Sequence, residues 1–266
     1  MQRVAAVQMV SAPEVAPNLE SARRLVAQAA EEGARLVALP EYFCILGRHE
    51  SDKVKVRERD GAGPIQDALA AMAQRNRVWL VGGTVPIACA DPGRARSACL
   101  VFDDAGRRVA RYDKMHLFTF SAGDERYDEA RTIEPGVEPV AVESPFGRLG
   151  LSVCYDLRFP ELYRRFQKVD IWFVPSAFTA VTGAAHWETL LRARAIENLC
   201  YVVAPAQGGL HANGRRTHGH SMVVGPWGEV LAEHAEGEGV VVADIDTDRL
   251  AEVRQSLPAL DNRRLT

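Results

Sequence analysis

No apolar run in the 266-residue sequence approaches the ~20 residues that a helix needs to cross a bilayer. The opening MQRVAAVQMV lacks the long apolar segment of a secretory leader and starts directly on a strand pattern. Cysteine is sparse: five residues, at 44, 89, 99, 154 and 200, with no CxxC among them. That odd, unpatterned set argues against a disulfide framework or a zinc knuckle, and a reducing cytoplasm is the expected setting. Basic charge is not in excess either. With 32 Lys and Arg against 35 Asp and Glu the net charge is −3, so neither nucleic acid nor a membrane is an expected partner. Repeats, low-complexity tracts and linkers are all missing. What remains, 47% hydrophobic residues over this length, suits one large domain spanning 1–266, with a polar tail from about Arg254.

Short apolar runs recur along the chain. Strands are expected at 4–10, 35–40, 78–85, 98–102, 149–154, 171–178, 201–206, 220–224 and 239–245. Many of these are apolar throughout rather than alternating, which predicts sheets covered on both faces. Between them lie helical patterns. From Asn18 to Gly33, Leu19, Ala22, Leu25, Val26 and Ala29 mark one face, with Asn18 expected as N-cap and Gly33 just past the C-terminus. Helices are also expected over 64–76 and 186–199. DDAG (103–106) and GPWG (225–228) carry hairpin turn chemistry. Together these predict a layered α/β fold with mixed sheets.

Three chemically active residues share one context. Glu41 follows LVALP, Lys114 follows VARYD and Cys154 follows LGLSV, so each stands where a strand should end and a loop begin. Strand ends are where α/β folds gather functional groups. Taken singly, each is more readily a solvated charge or a buried packing residue. Taken together they can run acyl transfer without a histidine. A carboxylate removes the thiol proton, a cation favours the thiolate, and the lysine with a backbone N–H, that of Tyr155, stabilises a tetrahedral oxyanion.

The surrounding words also carry a resemblance. LPEYF (39–43), YDKMHLF (112–118) and CYDLRFPELYR (154–164) resemble, in order and spacing, the three catalytic motifs of the nitrilase superfamily, the carbon–nitrogen hydrolases. The similarity runs from about Val4 to Asp246. PSAFTAVTGAAHWETLLRARAIEN (175–198), GHSMVVGPWGEVLAE (219–233) and CYVVAPAQGGLH (200–211) resemble the branch of deaminated-glutathione amidases and ω-amidases. Membership would imply a four-layer α-β-β-α sandwich with two mixed sheets, a homodimer, and no metal or organic cofactor. It would make Cys154 the nucleophile, Glu41 the general base and Lys114 the oxyanion stabiliser. A second glutamate of the family falls on Glu129, in a loop whose wording is less typical.

The substrate side rests on Arg158, four residues past Cys154. Its guanidinium suits a carboxylate, although a salt bridge with Asp156 or Glu161 would equally explain it. The resemblance favours substrate binding, with Tyr155, Phe178 and Thr182 lining the same pocket. The expected substrate is a small carboxylated amide such as deaminated glutathione. 2-Oxoglutaramate, another nitrilase-branch substrate and a catalytically silent scaffold are the alternatives. His116, His186, His218 and His220 have no convincing metal spacing, and His186 is expected to begin a helix. Cys89, Cys99 and Cys200 read as packing residues. Cys44, three past Glu41, is expected to lie closer to the site. The loop 207–220 is the candidate for the leaving-group side.

Overall fold

Successive residues of the first strand point into two different cores. Val4 and Ala6 belong to one apolar cluster, Ala5 and Val7 to another, and none of the four reaches solvent. Side chains alternate along a strand, so a continuously apolar run fits only a sheet with both faces covered. The structure, a computed structural model, describes residues 1–122 and 125–265; Gly123, Asp124 and Thr266 lie outside it.

The first half of the chain runs β1 (Gln2–Gln8), α1 (Val15–Glu31), β2 (Leu36–Ala38), α2 (Asp52–Lys55), α3 (Pro64–Asn76), β3 (Trp79–Val81), β4 (Val85–Ala88), β5 (Ala95–Phe102) and β6 (Arg108–Asp113). A small hairpin follows, β7 (Thr119–Ala122) and β8 (Glu125–Asp128), then a 3₁₀ turn over Glu129–Arg131. The second half comprises β9 (Val140–Ser144), β10 (Gly147–Leu151), a 3₁₀ turn over Cys154–Arg158, α4 (Pro160–Arg164), β11 (Ile171–Phe173), α5 (Ala180–Asn198) and β12 (Tyr201–Ala204). It closes with β13 (Gly208–Leu210), β14 (Arg216–His218), β15 (Ser221–Val224), β16 (Val230–His234), β17 (Gly239–Ile245) and α6 (Thr247–Ser256).

One sheet has the order β17-β1-β2-β3-β5-β4, with β6 also paired to β5; the other has the order β16-β15-β12-β11-β10-β9. Both are mixed. β1, β2 and β3 pair in parallel, as do β10, β11 and β12, and the remaining pairs are antiparallel. Leu25, Val26, Leu69 and Met72 of α1 and α3 pack on the outer face of the first sheet, against Val37 and Leu80. Its inner face, with Val4, Ala6 and Leu36, meets Leu149, Val203 and Val223 of the second sheet. α5 covers that sheet from outside, against β12 and β15. The fold is thus the expected α-β-β-α sandwich.

Several boundaries differ from expectation for reasons that bear on the site. The apolar run 78–85 is two strands, broken at Gly82 and Gly83. Gly83 has φ +56°, and a Cβ there would lie 2.2 Å from the Pro40 carbonyl oxygen, so only glycine lets the chain pass behind Glu41. The runs 149–154 and 171–178 leave the ladder at Leu151 and Phe173 and continue as irregular segments held together by main-chain bonds, Ser152 N–H to Phe173 O at 3.1 Å and Cys154 N–H to Pro175 O at 2.9 Å.

Asn18 is not the N-cap. α1 begins three residues earlier, and the buried Asn18 carboxamide instead accepts from Ala12 N–H and donates to the Ala12 and Cys44 carbonyls. Gly33 does follow the helix end, at φ +93°. α5 starts at Ala180 rather than His186, with Thr179 as N-cap accepting from Thr182 N–H. Gly183 hid that first turn; a Cβ there would strike the His218 ring at 2.2 Å. Arg254, where a polar tail is expected, sits inside α6 and grips Val169 O, Leu199 O and Asp170.

Candidate active site

Three strand ends deliver the candidate residues to one cavity of about 490 Å³. Glu41 follows β2, and its backbone is fixed on both sides. Gln207 donates to Glu41 O at 3.0 Å, while Tyr42, at φ +58°, donates its N–H to Thr84 Oγ1 at 2.9 Å. Lys114 follows β6, held by Lys114 N–H to Ser97 O and Gly136 N–H to Lys114 O. Cys154 opens the 3₁₀ turn after β10, at φ +50°.

That turn is organised by Asp156. Its buried carboxylate accepts from Val153 N–H (2.8 Å), Tyr112 OH (2.7 Å) and His116 N–H (3.0 Å), and lies 2.7 Å from His116 Nδ1. His116 stacks on Phe159 at 3.8 Å between ring centroids. It therefore braces the turn from the second motif. The other histidines lie apart from Cys154: His218 stacks on His220, and His186 approaches Arg158. Burial first, then the His220 charge, pull the His218 pKa down to about 4. Among the described residues no group of three or more His, Cys, Asp or Glu is placed to hold a metal ion.

The electrostatic centre is Lys114. Its Nζ donates to Glu41 Oε1 at 2.8 Å and to both oxygens of Glu129 at 3.0 and 2.8 Å, and all three side chains are almost wholly buried. Burial alone would discharge the lysine, but Glu129 and Glu41 outweigh it and hold its pKa well above the ordinary range. The same balance acts in reverse on Glu129. Burial would raise its carboxyl, but Lys114, then Lys53, and hydrogen bonds from Lys114 and Phe118 N–H keep it low. Tyr42 OH adds a 2.7 Å bond to Glu129.

Cys154 is a thiol in this setting. Burial and then the Glu41 charge push its pKa well up, and Lys114 and the Ala177 N–H only partly oppose them. Lys114 is shared between two carboxylates, so the thiol faces net negative charge. A group so placed attacks only as its proton is removed, and Glu41 acts directly on it. The arrangement supplies a base, a nucleophile and a fixed cation for a developing oxyanion.

Every residue expected to bind substrate lines this cavity: Tyr155, Arg158, Phe178 and Thr182. Arg158 pairs with neither Asp156, whose oxygens are engaged elsewhere, nor Glu161 at ion-pair distance among the described residues. Its guanidinium lies 5.4 Å from the Phe178 ring centroid, 5.8 Å from that of Tyr155 and 3.3 Å from His186 Nδ1. Cys44 does not join them. It is buried in the helix-side core, its sulfur 3.5 Å from Thr84 O. Sequence reasoning missed Tyr42, Glu50, Phe118 and Tyr127, which also line the cavity. Arg215, from the loop 207–220 expected on the leaving-group side, lines it too; the β13–β14 hairpin brings it across to Ala177, with Nη2 donating to Ala177 O at 3.2 Å.

A family model described as carbon–nitrogen hydrolase matches residues 3–255. The deaminated glutathione amidase of Synechocystis is 45% identical over 265 residues, covering 97% of each chain. The omega-amidase NIT2 of Xenopus tropicalis is 35% identical, covering 98% of this chain and 95% of the relative. Among solved structures, Saccharomyces cerevisiae Nit3, a member of branch 10 of the nitrilase superfamily, superposes with a TM-score of 0.89 at 30% identity, over 99% of this chain and 97% of that one.

Proposed function

The chain belongs to the carbon–nitrogen hydrolase family, and from that premise we propose that it is an amidase acting on deaminated glutathione through a Cys154 thioester. Glu41 takes the thiol proton as Sγ attacks the amide carbonyl carbon. Lys114 Nζ and the Tyr155 N–H hold the resulting oxyanion. Collapse breaks the C–N bond, and protonated Glu41 gives its proton to the leaving amine. Glu41 then removes a proton from water as it attacks the thioester, releasing 2-oxoglutarate and the free thiol. Glu129 keeps Lys114 charged and aimed. Arg158, beside Phe178 and Thr182, receives the keto-acid carboxylate.

The observation that carries this reading is the Lys114 contact. A buried cation bonded to two carboxylates beside a protonated thiol serves no packing purpose that an apolar side chain would not serve better. The substrate assignment is supported by the likeness to proteins named for it. An ω-amidase is the second reading, supported by the likeness to the Xenopus omega-amidase NIT2. Both substrates leave the same 2-oxoglutaryl group on sulfur, so the acyl pocket serves either. We further propose that 1–266 acts as one catalytic domain, in a cytoplasmic homodimer. No helix among the described residues is long and apolar enough to cross a membrane.

The test is steady-state hydrolysis of deaminated glutathione and 2-oxoglutaramate, with rapid-quench intact-mass analysis for a 2-oxoglutaryl adduct on Cys154. A higher kcat/KM for deaminated glutathione, with the adduct formed from both, is expected. Preference for 2-oxoglutaramate moves the assignment to ω-amidase. No adduct and no turnover on either removes it from this branch.

A further inference from the structure

The cavity does not end at Arg215. Tyr42, Glu50 and Arg215 also border a second, more polar recess of about 310 Å³, whose far wall includes His49, Lys53 and Asn213. Arg215 therefore stands where the two spaces meet. Its Nη2 is used on Ala177 O, its guanidinium lies 5.0 Å from the Tyr127 ring centroid, and its Nε is shut off from solvent with no acceptor. Among the described residues no carboxylate lies within ion-pair distance of it. Glu50, which contributes to its electrostatic environment, is taken by Lys53 at 2.8 Å.

Charge and rigidity both suit an anion there. Arg215 and Lys53 against Glu50 leave the recess with one positive charge in excess. An enclosed guanidinium with unused donors is costly until an anion pairs with it. Asn213 fixes the hairpin tip that presents Arg215: its side chain donates to Gly47 O at 2.8 Å and accepts from Arg215 N–H at 2.9 Å. Glu41, which hands its proton to the leaving amine, is among the charges felt by Arg215. Arg158, the cavity's other guanidinium, stands against Tyr155 and Phe178.

Resting on the amidase reading above, we propose that Arg215 and its recess form the leaving-group subsite, and that Arg215 binds the terminal carboxylate of a leaving dipeptide. Deaminated glutathione carries two carboxylates, one on the keto-acid end and one on glycine, and the cavity offers two guanidinium groups. 2-Oxoglutaramate carries one carboxylate and leaves ammonia, so it makes no use of Arg215. Selectivity between the two activities then resides in this hairpin, outside the motifs that define the chemistry.

The experiment compares wild type, Arg215→Met and Arg215→Lys on deaminated glutathione, its C-terminal carboxamide and 2-oxoglutaramate. In wild type the free acid should exceed the carboxamide in kcat/KM by about 30-fold or more, as for a desolvated charge pair. In Arg215→Met that ratio should fall to near one, and Arg215→Lys should restore part of it. Arg215 also holds Ala177, so absolute rates will drop on every substrate; the ratio is the readout. A wild-type ratio near one overturns the proposal without any variant, even if Arg215→Met fails to fold. A ratio that persists in Arg215→Met also overturns it while leaving the amidase reading intact. Wild type inert on both deaminated glutathione and 2-oxoglutaramate overturns the amidase reading, and this subsite with it.

Discussion

Cys44 and Cys154 begin from similar circumstances. Each lies a few residues beyond the last paired residue of a parallel strand, each is buried, and each has a thiol pKa pushed well up, chiefly by burial. Their neighbours differ. Around Cys44 the second influence is Glu58, with the main-chain N–H groups of Cys44 and Ile45 opposing. Around Cys154 the second is Glu41, opposed by Lys114 and the Ala177 N–H. Cys44 packs among helix-side core residues, whereas Cys154 opens onto a cavity. The difference teaches that a nucleophilic cysteine here is not marked by an easily ionised thiol. It is marked by a proton acceptor and a cation within reach of a space that a substrate can enter.

The sharpest test of that contrast deletes each sulfur, leaving a methyl side chain. Cys154→Ala should abolish turnover with the fold intact. Cys44→Ala should keep kcat within about threefold while losing on the order of 1 kcal/mol of stability to a small cavity. Paired kinetic and denaturation measurements check both, and residual Cys154→Ala activity above a few per cent would remove the nucleophile from the scheme.

Lys114→Met should come next. It removes an oxyanion donor, a loss of ~10²–10³ in kcat or more. It also strands two buried carboxylates, which costs about 3–5 kcal/mol. The pH dependence should change sign. In wild type the Glu129 carboxyl is held below its ordinary value of 4.5, so its stabilisation is present above that pH and fades as pH falls through the lowered value. Without Lys114, burial dominates, the carboxyl is raised, and the variant loses stability as pH rises. Melting temperatures between pH 4 and 8 check this; a variant that follows the wild-type curve would contradict it.

The smallest effect is the least intuitive. Glu41→Gln should cripple hydrolysis yet make Cys154 easier to ionise, because the Glu41 charge is among the influences that raise its pKa. The pH profile of iodoacetamide alkylation should shift to lower pH than in wild type. An upward shift would mean that Glu41 does not oppose the thiolate.

Much of this was legible in the sequence because it is local. The helix over Pro64–Asn76 and the strand Gly239–Ile245 have the expected bounds, since proline at a first helical turn and a run of three valines act through their own neighbours. Glu41, Lys114 and Cys154 stood out because each ends an apolar run. The misreadings are all tertiary. Asn18 resembles an N-cap, but its partners include the Cys44 carbonyl across the sandwich edge. The start of α5 is masked by Gly183, whose reason is the His218 ring. The loop 207–220 was expected beside the leaving group, but that Arg215 is the residue that reaches the cavity is set only when a hairpin folds it against Ala177. No periodicity encodes such contacts.

The pairing of β1 with β17 has a consequence for biosynthesis. Val4 lies opposite Ala243 and Gln8 opposite Gly239, so β1 waits for a strand synthesised long after it. At ~5–20 residues per second that interval is on the order of ten to fifty seconds. Throughout it, one edge of β1 remains an unpaired template, open to strands of neighbouring nascent chains. The first sheet can be completed only after translation has passed Ile245. The newborn chain therefore carries an open sheet edge for most of its synthesis, however stable the finished sandwich.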